Sequence, residues 1–245
     1  MIRFIVIILF IVIFLIVSIP IMFAEWVIGK FNRYAADISS LRIVQWAFKV
    51  IAFLTGVKAT IIGEENVPTD RAVLYVPNHV SLLDIVFTYP RCPRLTGYVS
   101  KDSMKKVPLL SIWMKRLYCL FLDRSDIKAG LKTILTGIDQ IKNGISMCIF
   151  PEGTRNKAPE NGLLPFKEGS LKMAEKTGCP IIPVAITNTA EIFENHFPKV
   201  KPCHIIIQYG EPILVQELDK EQRKFLGAYT QERIQRMLEG HKELL

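Results

Sequence analysis

Ala72-Val73-Leu74-Tyr75-Val76-Pro77-Asn78-His79-Val80-Ser81-Leu82-Leu83-Asp84 decides how the chain is read. A β-rich run over Ala72–Val76 breaks at Pro77-Asn78, and Ser81-x-x-Asp84 is a pattern that starts helices. A strand feeding a helix through a short polar turn is the repeating unit of α/β architecture. Moving outward, the same alternation recurs on both sides. Strands are expected at Val57–Gly63, Thr96–Ser100, Leu117–Leu122, Ser146–Phe150, Ile181–Ile186 and His204–Tyr209. Helices are expected near Leu82–Tyr89, Ser103–Lys115, Ile127–Asn143, Lys167–Thr177 and Glu217–Glu239. The fold class is α/β, a central mixed sheet covered by helices, with an N-terminal membrane-embedded helical element. The boundary falls near residue 60, giving a membrane element over residues 1–60 and a main domain over residues 61–245.

The N-terminal element follows from hydropathy. Half of the 245 residues are hydrophobic and the mean hydropathy is +0.26. That excludes a disordered chain, and a single long uncharged run excludes a polytopic transporter. The run, Phe4 to Ala24, has 21 residues without a formal charge; as a helix it measures roughly 31 Å, about the thickness of a bilayer's hydrocarbon core. A signal peptide has a shorter apolar region ending in small residues, whereas this run ends Ile-Met-Phe-Ala, so retention is expected. Ile43 to Thr55 is a second apolar stretch, with Arg42, Gln45 and Lys49 on one helical stripe. It reads as a helix lying at the bilayer interface, with those polar groups at headgroups and Trp46 at the boundary; the alternative is a helix packed on the domain.

Charge sets the orientation. Six Lys/Arg and two Asp/Glu fall in residues 1–62, half of the net +8. Positive charge flanking the run places the main domain on the cytoplasmic face of the cell membrane. Without a basic cluster, nucleic acid is not an expected partner; anionic lipid or a phosphorylated substrate is. The five cysteines are at least 24 residues apart with no metal-ligand spacing, which reads as buried free thiols in a reducing compartment.

Polar segments follow three strand ends: Asn78-His79, Asp123-Arg124 and Pro151-Glu152-Gly153-Thr154-Arg155. Ligands of open α/β sheets collect beyond the carboxyl ends of strands, which suggests one shared site. Of four histidines, only His79 lies at a strand-to-helix junction with a carboxylate nearby, Asp84. A carboxylate on one imidazole nitrogen fixes the tautomer and leaves the other free to take a proton. On spacing alone, Asp84 as a simple helix cap is the plainer reading. In the second segment, Gly153 allows backbone amides to face an anion, Thr154 adds a hydroxyl, and Arg155 can bind phosphate bidentately; a solvated turn with a salt bridge is the plainer reading. Arg124 and Lys101 are further cations at strand ends. The sequence has no Gly-x-Ser-x-Gly, Walker A, dinucleotide fingerprint or His-Glu-x-x-His.

Together these segments resemble the glycerolipid acyltransferases. Asn78–Asp84 is similar to their His-x4-Asp motif, Phe150–Arg155 to their substrate-phosphate motif, Leu120–Arg124 to the block between, and Ile182–Ile186 to the apolar fourth block. The resemblance covers roughly residues 60–210, with Leu122 where Ile is usual. It implies transfer of a fatty acyl group from a thioester, acyl-CoA or acyl carrier protein, to the sn-2 hydroxyl of lysophosphatidate, yielding phosphatidate. It also implies His79 as general base, Asp84 as its orienting partner, and Arg124 with Glu152, Gly153, Thr154 and Arg155 on the glycerol phosphate, Lys101 being a looser match. No metal or organic cofactor is implied. The alternatives are the same chemistry on another acceptor (glycerol 3-phosphate, another lysophospholipid or a lyso-aminolipid) or a membrane lipid-binding protein without catalysis.

Overall fold

A computed structural model describes residues 1–244 of the chain. Seven strands form one sheet: β1 Lys58–Ile62, β2 Leu74–Pro77, β3 Thr96–Lys101, β4 Leu120–Leu122, β5 Ser146–Cys148, β6 Ile181–Thr187 and β7 His204–Tyr209. Their order across the sheet is β1-β7-β6-β2-β5-β3-β4. Strands β2 to β6 run parallel, while β7 pairs antiparallel with β6 and parallel with β1. The sheet is therefore mixed and covered on both faces, as the alternation of elements implies. Side chains of β2 and the residue before it alternate between the two cores. Val73 and Tyr75 enter one layer, and Leu74 and Val76 enter the other.

The first layer holds α1 (Ile2–Phe31), α2 (Arg33–Thr55), the short α3 (Asp84–Thr88) and α4 (Leu110–Arg116). The second holds α5 (Ile127–Lys142), α6 (Lys172–Thr177) and, after α7 (Lys220–Lys224), the long α8 (Leu226–Gly240). Four helices differ from expectation, among them Lys167–Thr177, which is a 3-10 turn over Glu168–Leu171 followed by the six-residue α6. The stretch Ser103–Lys115 is a 3-10 turn over Asp102–Lys106 and then α4, because Pro108 lacks the amide needed to continue. The α3 helix begins only at Asp84, and the C-terminal helix is split at Phe225. Strand β4 is short, since α4 runs to Arg116 and Tyr118 adopts a positive φ of 59°.

Helices α1 and α2 are both long and apolar enough to cross a membrane. They form an antiparallel pair joined at Asn32, whose side chain caps α2 through the Ala35 amide at 3.0 Å. The α1 helix is laid along the domain. Phe4 stacks on Phe193 at 5.3 Å, Ser18 Oγ accepts from Trp113 Nε1 at 3.0 Å, and Glu25 lies 3.6 Å from Arg116. Its other flank, including Ile5, Leu9, Val12, Ile16 and Phe23, is exposed.

The polar stripe of α2 does not sit at headgroups as a unit. Gln45 is buried, donates to the carbonyl of Cys92 at 2.8 Å and accepts from Arg42 at 2.9 Å. The carbonyls ending the α3 segment need partners, and Gln45 supplies one. Leu41, Val44 and Ile51 bury the same face, so α2 docks on the domain and turns Trp46, Lys49 and Phe53 outward.

Candidate active site

The site forms at the carboxyl end of β2, where the chain turns into α3. His79 Nδ1 lies 2.8 Å from Asp84 Oδ2. Asp84 is fully buried, and the same oxygen accepts the amides of Val80 and Ser81 at 2.9 and 3.0 Å. Its second oxygen accepts the Thr189 hydroxyl. Pairing with His79 and helix capping, alternatives on spacing alone, are thus one arrangement: the carboxylate that binds the start of the helix also holds the imidazole. Phe150 stacks on the His79 ring at 4.0 Å, leaving the side chain 15% exposed. With Nδ1 donating to Asp84, Nε2 keeps its lone pair.

The Phe150–Arg155 segment clamps His79 through its backbone. Glu152 Oε1 accepts the His79 amide at 2.7 Å, and the Asn156 amide donates to the His79 carbonyl at 2.7 Å. Glu152 Oε2 accepts the Leu164 amide at 3.1 Å. Burial pushes the Glu152 carboxyl above its ordinary range, opposed by these backbone donors. Its carboxylate therefore faces inward onto amides, and a substrate phosphate would meet repulsion there. Gly153 has φ +73° and is closely approached by Lys167; a Cβ there would lie 2.8 Å from Lys167 Nζ. Only glycine suits that turn.

Arg155 pairs with Glu194 at 3.2 Å, and Thr154 is exposed beside it. Glu194 also accepts the Leu82 amide and the Ser81 hydroxyl, each at 2.7 Å. Sequence reasoning missed Glu194, Lys167 and Thr189, none of which belongs to the recognised segments. Lys101 and Arg124 are exposed at the ends of β3 and β4, one and two strands beyond β5. They share the edge with His79 and Arg155 but make no hydrogen bond or ion pair with this group among the described residues.

Residues 58–187 match the acyltransferase family model, more than half of the chain. The chain belongs to the acyltransferase family. More particularly, it is 28% identical over 213 residues to a Saccharomyces cerevisiae protein named 1-acyl-sn-glycerol-3-phosphate acyltransferase, covering 84% of this chain and 69% of that one. A Borreliella burgdorferi protein of the same name is 29% identical, with 83% and 80% covered. The crystal structure of the 1-acyl-sn-glycerophosphate acyltransferase from Thermotoga maritima superposes with a TM-score of 0.77 at 26% identity, covering 98% of both chains.

Proposed function

We infer that this chain is a membrane-associated 1-acyl-sn-glycerol-3-phosphate acyltransferase, moving a fatty acyl group from a thioester to the sn-2 hydroxyl of lysophosphatidate. The observation that carries the reading is the buried Asp84 carboxylate on Nδ1 of a nearly covered His79, at a strand end shared with Arg155. His79 Nε2 takes the proton of the acceptor hydroxyl as its oxygen attacks the thioester carbonyl. The C–S bond breaks as the ester C–O bond forms, and the thiolate leaves with the proton returned by the imidazolium. Asp84 stabilises that cation and keeps the ring oriented. No acyl-enzyme forms, and the reaction uses no metal or organic cofactor beyond the thioester.

Arg155, aided by Lys167 and the Gly153-Thr154 turn, faces the phosphate, with Arg124 and Lys101 further along the same edge. Glu152 serves as a positioning residue for the His79 backbone. The exposed flank of α1 rests in lipid, so the acceptor's acyl chain stays in the bilayer while its phosphate reaches the cations. The flanking basic residues put the domain on the cytoplasmic side, where the thioester is made.

The test is product analysis with purified protein, a labelled acyl thioester and a panel of acceptors. Phosphatidate formed from lysophosphatidate, well ahead of products from glycerol 3-phosphate and other lysolipids, is the expected result. Preference for another acceptor overturns the substrate assignment, and no acyl transfer to any acceptor overturns the function.

A further inference from the structure

One apolar surface lies away from the N-terminal helices. On α5, Ile127, Leu131 and Leu135 are 90%, 60% and 52% exposed. At spacings of four they form one stripe, while Thr133, Gly137, Ile138 and Ile141 bury another face. Lys128 and Lys132 flank the stripe and are exposed. Residues 101–132 carry eight Lys/Arg against three Asp, more than half of the net charge of the chain. Asp126 and Asp139 lie at the two ends of the stripe, and aligned exposed apolar groups flanked by lysines mark an interaction site.

Two surfaces fit basic–apolar chemistry: an anionic bilayer and an acidic protein. The topology favours the protein. Helices α1 and α2 pack on the core layer that contains Val73 and Tyr75, whereas α5 packs on the layer of Leu74 and Val76. A bilayer touching the outer flank of α1 is on the opposite side of the sheet from α5. The start of α5 is nonetheless at the active edge, because it follows β4, three inter-strand spacings or roughly 14 Å from β2.

We propose that the Ile127–Leu131–Leu135 stripe with Lys128 and Lys132 docks an acidic acyl carrier protein, which presents its thioester to His79 along the β5–β4 edge. The proposal rests on the acyltransferase reading and names the donor for that site. Electrostatic steering by these lysines raises the rate of encounter.

The experiment compares wild type, Lys128→Glu/Lys132→Glu and Leu131→Gln, using palmitoyl-CoA and a palmitoylated acyl carrier protein as donors to lysophosphatidate. All three positions are solvent-exposed, and none touches the site. Each variant is expected to lose about tenfold or more in kcat/KM with the carrier protein, while palmitoyl-CoA turnover stays within about twofold. Raising the salt concentration is expected to slow the carrier reaction of wild type towards that of the double-charge variant. Equal losses with both donors, unchanged carrier kinetics, or weakened binding of the variants to phosphatidylglycerol vesicles overturns the proposal, the last pointing to lipid on α5. A wild-type enzyme active only with palmitoyl-CoA overturns this docking site and leaves the function standing, whereas inactivity with both donors overturns the function itself.

Discussion

The five amides from His79 to Leu83 are all held by side chains, three by those within the turn and two by those from distant parts of the chain. Glu152 takes the amide of His79, Asp84 those of Val80 and Ser81, Glu194 that of Leu82, and Ser81 Oγ that of Leu83. A turn bound in this way sets the imidazole by its backbone as well as by its carboxylate partner, and a small misplacement of a base is costly. Glu194 joins this turn to Arg155, so its charge and its hydrogen bonds are separable. Glu194→Gln keeps an oxygen for Leu82 and removes the charge facing Arg155. Steady-state kinetics with varied lysophosphatidate should show KM raised about two- to fivefold with kcat little changed, since the ion pair is partly exposed. Glu194→Ala should also lower kcat, because the Leu82 amide loses its partner. An unchanged KM in the Gln variant would separate Glu194 from acceptor binding.

At the scale of elements, the sheet is closed at its back by the end of α8. His241, buried just beyond that helix, accepts from the Thr187 hydroxyl of β6 at 2.7 Å and donates to Gln208 of β7 at 3.0 Å. Both bonds suit a neutral ring, and burial lowers its affinity for a proton below that of an ordinary histidine. The unfolded chain therefore binds a proton that the folded chain refuses. Stability from this contact is fully present above about pH 6.5 and declines as the pH falls through and below that value. Thermal melts in detergent between pH 8 and pH 5 should show a steeper acid-side fall for wild type than for His241→Gln. Parallel profiles would mean that His241 titrates alike in both states. The split between α7 and α8 has a similar long-range cause: Glu168 accepts the Gly227 amide at 2.9 Å, binding the new helix start as an anion suits it.

Over the whole molecule, the seven strands and their order along the chain were legible, because each is a short β-rich run bounded by polar or turn residues. The His79–Asp84 pair was legible for the same reason, since both partners lie within one strand-to-helix junction. Glu194 was not: it is one of many surface-type carboxylates in sequence, and only the fold carries it across 113 residues to Ser81. The inward aim of Glu152 was hidden too, because Glu-Gly-Thr-Arg spells an anion site as readily as a clamp on a neighbouring backbone. Gln45 misled in the opposite sense. A polar group on an apolar helix suggests water or headgroups, yet it meets the carbonyls of Tyr89 and Cys92 in the 3-10 turn that follows α3. These cases share one physical origin, partners remote in sequence. The resulting molecule sets an apolar helix pair on one face, a histidine–carboxylate pair at the strand ends, and cations along the same edge.

That arrangement has its most direct test in His79→Ala, assayed for acyl transfer from a labelled thioester to lysophosphatidate after the variant is shown to fold and bind membranes like wild type. Loss of the general base predicts a fall in kcat/KM of about 10²- to 10⁴-fold. Turnover close to wild type would contradict the assignment of His79 as the base, and with it the mechanism built on the His79–Asp84 pair.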